Sequence, residues 1–186
     1  LAAILLGYFI IQLAIPEARM IEPWIAGRGI GFYFLFFVIL TFMFINTNKR
    51  LDTFLYVWGV LSILGTLKGI GQMILGPDFA EQAWLDSGQD ITHILFGKLR
   101  VFSFYSDAGQ FGGNQGYTGV VFILYSMAKK GLPKIFFITV GVLGLYGMMI
   151  SGTRGAIAVP FAGFMTFLVL RKNIKVLSAG ILMVLL

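Results

Sequence analysis

The chain has 186 residues, of which 58% are hydrophobic and 12% are charged, and 19 of them are Phe. This composition excludes an ordinary soluble domain and predicts an integral membrane protein. The formal net charge is +6 at pH 7, but the basic residues fall in short clusters between apolar runs, which is typical of cytoplasmic loops and not of nucleic-acid binding. The sequence has no cysteine, so it offers neither a disulfide framework nor a thiolate metal site.

Long apolar runs predict an all-α fold, a polytopic transmembrane helical bundle with about seven spans. We interpret residues 1–186 as a single transmembrane domain that is truncated at both ends, because each end of the chain lies inside an apolar run. The predicted spans are Leu1–Ile15, Ile30–Ile45, Thr53–Leu75, Gly113–Ala128, the runs on either side of Arg154, and a last span that starts near Val176.

Basic residues predict the orientation of these spans. Three connections that fall on one side by parity carry Lys49 and Arg50, then Lys129, Lys130 and Lys134, and finally Arg171, Lys172 and Lys175. The positive-inside rule makes that side cytoplasmic. The long connection over residues 76–112 is then expected on the outer side.

The outer connection has room for structure of its own. Apolar and acidic residues mix between Ala80 and Gly88, which predicts a short amphipathic helix at the membrane surface. The lone histidine, His93, has no neighbours at metal-ligand spacing, so we interpret it as a polar loop residue and expect no metal site. The aromatic-rich segment Arg100–Asn114 leads from this connection into the fourth span.

The sequence Ser-Gly-Thr-Arg-Gly at residues 151–155 interrupts an apolar run from Ile135 to Leu170, in which Arg154 is the only charge. As one helix the run would be roughly 54 Å long, against a hydrocarbon core of about 30 Å. We therefore expect the chain to turn at these glycine and hydroxyl residues. Arg154 then lies at a membrane boundary, where it either binds a partner or extends to the lipid headgroups.

Two arginines, Arg100 and Arg154, are expected on the outer face, each beside the N-terminus of a span. The candidate N-caps of these two helices are Ser106 or Asp107 and Ser151 or Thr153. Two guanidinium groups and two helix N-termini on one face suit an anion, and a phosphate matches the planar fork of arginine. The alternative is a pair of independent headgroup anchors.

Two further features are ambiguous. Lys68, about two turns from the outer end of the third span, either extends outward to headgroups or lines the same site as the arginines. The segment Gly112–Gly116 lacks the Lys-Ser/Thr of a phosphate-binding loop, so we interpret it as a place where helices pack closely.

The segment Ser151–Ala156, which opens a span that ends in Arg171 and Lys172, resembles the core motif of the bacterial O-antigen ligase and O-antigen polymerase superfamily. The segment Arg100–Asn114 is similar to the upstream arginine segment of those proteins, and Gly69–Gln72 is similar to their Gly-x-x-Gln pattern. The resemblance covers roughly residues 54–186.

This resemblance implies a multi-pass glycosyltransferase of the bacterial inner membrane that needs no metal or other cofactor. Such an enzyme moves a glycan from an undecaprenyl-diphosphate carrier to a lipid or glycan acceptor on the periplasmic face. The residues that it implies for substrate binding are Arg100, Arg154, Ser151 and Thr153, with supporting roles for Lys68, Gln72 and Asn114. A large periplasmic loop of the family carries a histidine that assists the acceptor; we expect that loop beyond Leu186 and assign no catalytic residue here.

Two other classes of protein would use the same features. A transporter or anion channel would use the outer arginines for substrate selectivity, and it predicts inverted repeats and helices broken near the membrane midplane. We find no internal repeat in the sequence. A structural membrane subunit would need the arginines only as anchors.

Overall fold

The computed structural model describes residues 4, 7, 33, 35–95 and 97–171. The chain divides into two compact units, Leu1–Tyr56 and Val57–Leu186. Nearly all of the span predicted at Leu1–Ile15, and all of the one predicted from Val176, lie outside the described residues. The single domain over residues 1–186 stays a prediction.

The described part of the chain is mostly helical. In chain order its elements are the short helix Leu35–Phe44; α1, Asn48–Leu75; α2, Phe79–Trp84; a π-helical turn, Leu85–Gln89; α3, Asp90–His93; β1, Ile94–Leu95; β2, Lys98–Leu99; α4, Ala108–Ser126; α5, Gly131–Ile150; a 3₁₀ turn, Arg154–Ile157; and α6, Ala158–Leu170. Strands β1 and β2 form an antiparallel hairpin in the connection over residues 76–112. The predicted all-α class did not include this hairpin, and α2 lies where the sequence predicted an amphipathic helix.

Among the described residues, α1 and α5 are long and apolar enough to cross a membrane, judged by length and composition. The 28 residues of α1 correspond to about 42 Å of helix, and the 20 residues of α5 to about 30 Å. Only 33% of the most apolar window of each helix is buried, so both helices keep apolar side chains exposed. The helices α4 and α6 do not meet the same criteria, and the predicted number of seven spans is not supported by the described residues.

The chain turns at the Ser-Gly-Thr segment, as the sequence predicted. Helix α5 ends at Ile150, and Gly152 follows its C-cap residue Ser151 with φ of 63°. Glycine adopts this left-handed conformation readily, which is why it commonly ends helices. Thr153 is then extended and precedes the 3₁₀ turn that leads into α6. Arg154 consequently lies at the end of two helices and not within one.

Glycines let α4 and α5 pack backbone against backbone. A Cβ added to Gly144 would lie 2.9 Å from the carbonyl oxygen of Gln115 and 3.0 Å from the nitrogen of Gly119. A Cβ on Gly141 would meet the Ile123 nitrogen at 3.1 Å. Small residues at such positions allow helices to approach closely enough for extensive van der Waals contact.

The Gly112–Gly116 segment belongs to the same packing face. A Cβ on Gly112 would collide with the Ser151 hydroxyl, and one on Gly116 would lie 3.1 Å from the Met148 sulfur. A Cβ on Gly113 would meet no atom within 4 Å. The interpretation of this segment as a close-packing element is therefore confirmed for Gly112 and Gly116.

Buried polar side chains join α1 to α4. The Ser62 hydroxyl donates to Gln115 Oε1 at 2.8 Å, and Gln115 Nε2 donates to the Ser62 carbonyl oxygen at 3.3 Å. Gln115 is 1% exposed. In apolar surroundings such a reciprocal pair would be costly to break, so it fixes the register of the two helices.

Candidate functional site

The segment that follows the hairpin, residues 100–107, lies across one end of the helices. It contacts α1 through Gln72, which hydrogen-bonds Ser103. It contacts the turn between α5 and α6 through Arg100, which hydrogen-bonds Thr153. Of the residues that the sequence analysis singled out, Arg100 therefore belongs to this segment, and Gln72 and Thr153 are hydrogen-bonded to it.

Arg100 is held on two sides. Its Nη1 donates to the Thr92 carbonyl oxygen at 3.1 Å, and its Nη2 donates to Thr153 Oγ1 at 2.7 Å. The Arg100 main-chain N–H donates to the carbonyl oxygen of His93 at 2.8 Å, at the base of the hairpin. These contacts place the guanidinium group against the turn that carries Arg154.

The Arg100 Nε atom is buried and has no hydrogen-bond partner among the described residues. A guanidinium group has five N–H donors, and the described residues accept from Nη1 and Nη2 only. Leaving a buried donor of a charged group unpaired costs free energy, so such a group calls for a partner, which can be an ordered water, an ion or a ligand. An oxyanion that accepted from Nε and from an Nη together would form the bidentate contact that arginine favours.

Arg154 is exposed, and it makes no hydrogen bond or ion pair with any described residue. It borders a cavity of about 440 Å³ whose other lining residues are Met148, Met149, Gly152, Thr153 and Ile157. Neither Arg100 nor Arg154 is paired with a carboxylate in the described part of the chain. Two uncompensated positive charges therefore flank Thr153, one bonded to its side chain and one next to it in sequence.

Ser151 shapes the turn. Its hydroxyl is fully buried, donates to the Met148 carbonyl oxygen at 2.7 Å and accepts from the Thr153 N–H at 3.2 Å. The Ser151 hydroxyl is therefore engaged by main-chain atoms of the turn, and the direct substrate contact expected for Ser151 stays a prediction. Neither Ser151 nor Thr153 caps α6, whose N-cap residue is Ile157. Thr153 occupies the N-cap position of the preceding 3₁₀ turn, but its side chain makes no cap hydrogen bond there.

Asp107 caps α4. Its carboxylate accepts from the N–H groups of Gly109 at 2.6 Å and Gln110 at 3.1 Å, whereas the Ser106 hydroxyl donates to Gln110 Oε1. The choice left open between Ser106 and Asp107 is thus decided. The cap also corrects the prediction of an anion at this helix N-terminus, because a carboxylate already occupies it.

Lys68 takes neither of the two predicted roles. Its Nζ lies 2.7 Å from Asp78 Oδ2 and 2.8 Å from Glu81 Oε1, so its charge is compensated by these two carboxylates. The reason is the reciprocal cap of α2, in which Asp78 and Glu81 bond each other's main chain and both carboxylates come to the end of α1. The hydrogen bond from Lys68 and then that from the Glu81 N–H lower the pKa of the Asp78 carboxyl below its ordinary value.

A second cavity, of about 520 Å³, opens beside this ion pair. Its lining includes Lys68, Glu81, Trp84, Phe104 and Tyr105. Burial raises the pKa of the Tyr105 phenol, so this side chain stays protonated over the physiological range.

Asn114 is exposed on α4, and its side chain makes no hydrogen bond with a described residue. The buried amide of this helix is Gln115, which the sequence analysis did not single out. Gln115 lies three positions after Gly112 and four before Gly119, on the packing face of α4. That spacing indicates that Gln115 lies on the same face of α4 as the packing glycines, and it could have been used to identify this residue from the sequence.

His93 is buried, which corrects its interpretation as a loop residue. It is 2% exposed, and its ring packs against those of Trp84 and Phe102, with centroids 4.9 and 5.2 Å away. The Trp84 and Phe102 centroids are 5.5 Å apart, so the three rings form a triangle. Its Nδ1 lies 2.8 Å from the Gln89 carbonyl oxygen and its Nε2 lies 3.2 Å from that of Ser106. His93 therefore belongs to a small aromatic cluster in the connection over residues 76–112. Among the described residues, no group of three or more His, Cys, Asp or Glu side chains is placed to hold a metal ion.

Comparison with known proteins finds no match to the chain among family models, curated proteins or solved structures. The function of the site is therefore argued below from its own residues and from the motif resemblance.

Proposed function

We propose that this chain belongs to a multi-pass glycosyltransferase of the bacterial inner membrane, of the O-antigen ligase or polymerase type. It moves a glycan from an undecaprenyl-diphosphate carrier to a lipid or glycan acceptor at the periplasmic face. The observation that carries the proposal is the hydrogen bond of 2.7 Å from Arg100 to Thr153, the residue next to the exposed Arg154. Arg100 and Arg154, which are 54 positions apart and are both implied by the motif resemblance, are thus both next to Thr153: Arg100 through this hydrogen bond and Arg154 in sequence.

The charge of this locality suits the leaving group of the proposed reaction. Cleavage of the sugar–phosphate bond leaves a diphosphate, whose growing negative charge must be stabilised. Arg100 offers a buried, unpartnered Nε–H, and Arg154 offers an exposed guanidinium group. Removing one preorganised donor of this kind typically raises the barrier by about 2.7–4 kcal/mol.

The surroundings suit the lipid part of the carrier. The cavity beside Arg154 is walled by Met148, Met149 and Ile157, and Met149 and Ile157 are 72% and 60% exposed. Apolar side chains directly beside a cationic group match a molecule with a polyisoprenoid tail and a diphosphate head.

The helices α1 and α5 are continuous, whereas the transporter alternative predicts helices broken near the midplane.

The test replaces Arg154 and measures the ladder of glycan-modified product from cells that carry each variant. Arg154→Ala should abolish the ladder at unchanged protein level and membrane insertion. Arg154→Lys should recover little, because an ammonium group keeps the charge but lacks the planar fork. Lys134→Ala, at an exposed basic residue in the first turn of α5, is the matched control and should leave the ladder unchanged.

Two outcomes contradict the proposal in different ways. A normal ladder from Arg154→Lys would show that Arg154 is a headgroup anchor, since lysine reaches headgroups nearly as well. A normal ladder from Arg154→Ala would refute the glycosyltransferase assignment of this segment.

A further inference from the structure

The main chain after Arg100 docks into a groove on one face of α1. Gly65, Gly69 and Gln72 lie at positions i, i+4 and i+7 of that helix, on a common face. A Cβ on Gly69 would lie 3.0 Å from Val101 Cγ1, and the Ser103 hydroxyl donates to the Gly65 carbonyl oxygen at 2.6 Å. The two glycines let the segment approach the helix, and Gln72 lies at the end of the groove nearest the C-terminus of α1.

The Gln72 side chain is used entirely by protein contacts. Its Oε1 accepts from the N–H groups of Ser103 at 2.7 Å and Phe102 at 3.3 Å. Its Nε2 donates to Glu81 Oε1 at 2.8 Å and to the Ser103 carbonyl oxygen at 3.3 Å. With 3% exposure, this amide bonds both the N–H and the carbonyl oxygen of Ser103 and has no free donor or acceptor for a ligand.

Ser103 is held in an unfavourable backbone conformation. Its φ is 55°, in the left-handed region that residues other than glycine seldom occupy. Such a conformation persists where the surroundings over-determine it. Here the determinants are the two main-chain contacts with Gln72 and the hydroxyl bond to Gly65.

We propose that Gln72 is a positioning residue: by clamping the main chain at Phe102 and Ser103 it holds the Arg100 guanidinium group against Thr153. On its other side Arg100 is hydrogen-bonded to the carbonyl oxygens of Thr92 and His93, at the end of α3. Without the Gln72 bonds, the only hydrogen bond between this segment and α1, among the described residues, is the one from the Ser103 hydroxyl to the Gly65 carbonyl oxygen. The inference deepens the proposed function and rests on it for the anion that Arg100 binds.

The test measures the reactivity of individual arginines in the purified protein, with phenylglyoxal as the reagent and mass spectrometry as the readout. Gln72→Leu should make Arg100 react at least about fivefold faster, the factor that one net hydrogen bond contributes to a local opening equilibrium. Arg154 is already exposed, so its rate should stay the same and serves as the internal reference. Gln115→Leu removes another buried amide from the same bundle and should leave both rates unchanged.

Gln72→Asn keeps the amide but shortens the side chain, so it should give an intermediate Arg100 rate and provides the answer if Gln72→Leu does not fold. The proposal is overturned if folded Gln72→Leu or Gln72→Asn leaves Arg100 at the wild-type rate. It is also overturned if Gln115→Leu accelerates Arg100 equally, because the effect would then be general loosening.

The same assay separates this inference from the proposed function. Inorganic pyrophosphate should slow the modification of Arg100 and Arg154 together in the wild-type protein. Absence of that protection would count against the diphosphate site, whereas faster modification of Arg100 in Gln72→Leu would still establish the clamp.

Discussion

Thr153→Val tests whether the bond between Arg100 and Thr153 matters for function. The substitution keeps a β-branched side chain of similar shape and removes the oxygen that accepts from Arg100 Nη2 at 2.7 Å. The other contact of that oxygen, with the Ser151 carbonyl oxygen, is 3.5 Å long and contributes little.

Hydrogen bonds to charged groups contribute about 1.5–3 kcal/mol. Thr153 is only half-buried, so we take the lower end of that range, which corresponds to roughly a tenfold loss in the rate of glycan transfer at limiting substrate. Thr153→Ser keeps the oxygen and should retain most of the rate.

The assay is the initial rate of formation of glycan-modified product in membranes that contain equal amounts of each variant. In an Arg100→Ala background, Thr153→Val should cause no further loss, because the bond is already absent. A wild-type rate for Thr153→Val would refute the argument that this bond positions Arg100. An equal loss in Thr153→Ser would mean that the shape of the side chain matters, and not its acceptor.

Two further predictions concern stability, and both are measured by thermal unfolding in detergent. Gly144→Ala should destabilise the protein by about 1–3 kcal/mol, because its Cβ would meet backbone atoms of α4 at 2.9 and 3.0 Å. Gly113→Ala is the control: an added Cβ there meets nothing within 4 Å, so this substitution should stabilise the protein by about 0.5–1 kcal/mol. Equal effects of the two substitutions would contradict the packing argument. Asp78 has a lowered pKa through Lys68, so its stabilising effect is present above its ordinary pKa of 3.8 and disappears as the pH falls through the lowered folded value. Asp78→Asn should therefore unfold at a lower temperature than the wild type near neutral pH and at the same temperature in strong acid; parallel curves across the pH range would refute this.

Local properties of the chain were predictable from the sequence. The apolar runs gave the approximate bounds of α1, α4, α5 and α6, because apolar composition and run length are sequence properties. The break at residues 151–153 followed from the length of the apolar run and from Gly152, whose left-handed conformation only glycine adopts at low cost. The association of glycines 112 and 116 with helix packing was predictable for the same reason, since the absence of a side chain is local information.

The partners of the polar side chains were decided by the tertiary structure. Lys68 was expected at headgroups or beside the arginines, and it bonds Asp78 and Glu81 because the α2 cap places these carboxylates at the end of α1. His93 was interpreted as a loop residue, and it is buried because its ring packs against those of Trp84 and Phe102. No local pattern encodes either contact.

The candidate site shows the same division. The sequence identified Arg100, Thr153 and Arg154 as residues of interest from their charge, their motif and their position at helix ends. It did not determine that Arg100 bonds Thr153, or that Gln72 holds the segment after Arg100, because those contacts join residues about 30 to 53 positions apart. Contacts over such separations depend on which faces of the helices meet. The side chains on those faces come within reach of each other only after the helices have packed.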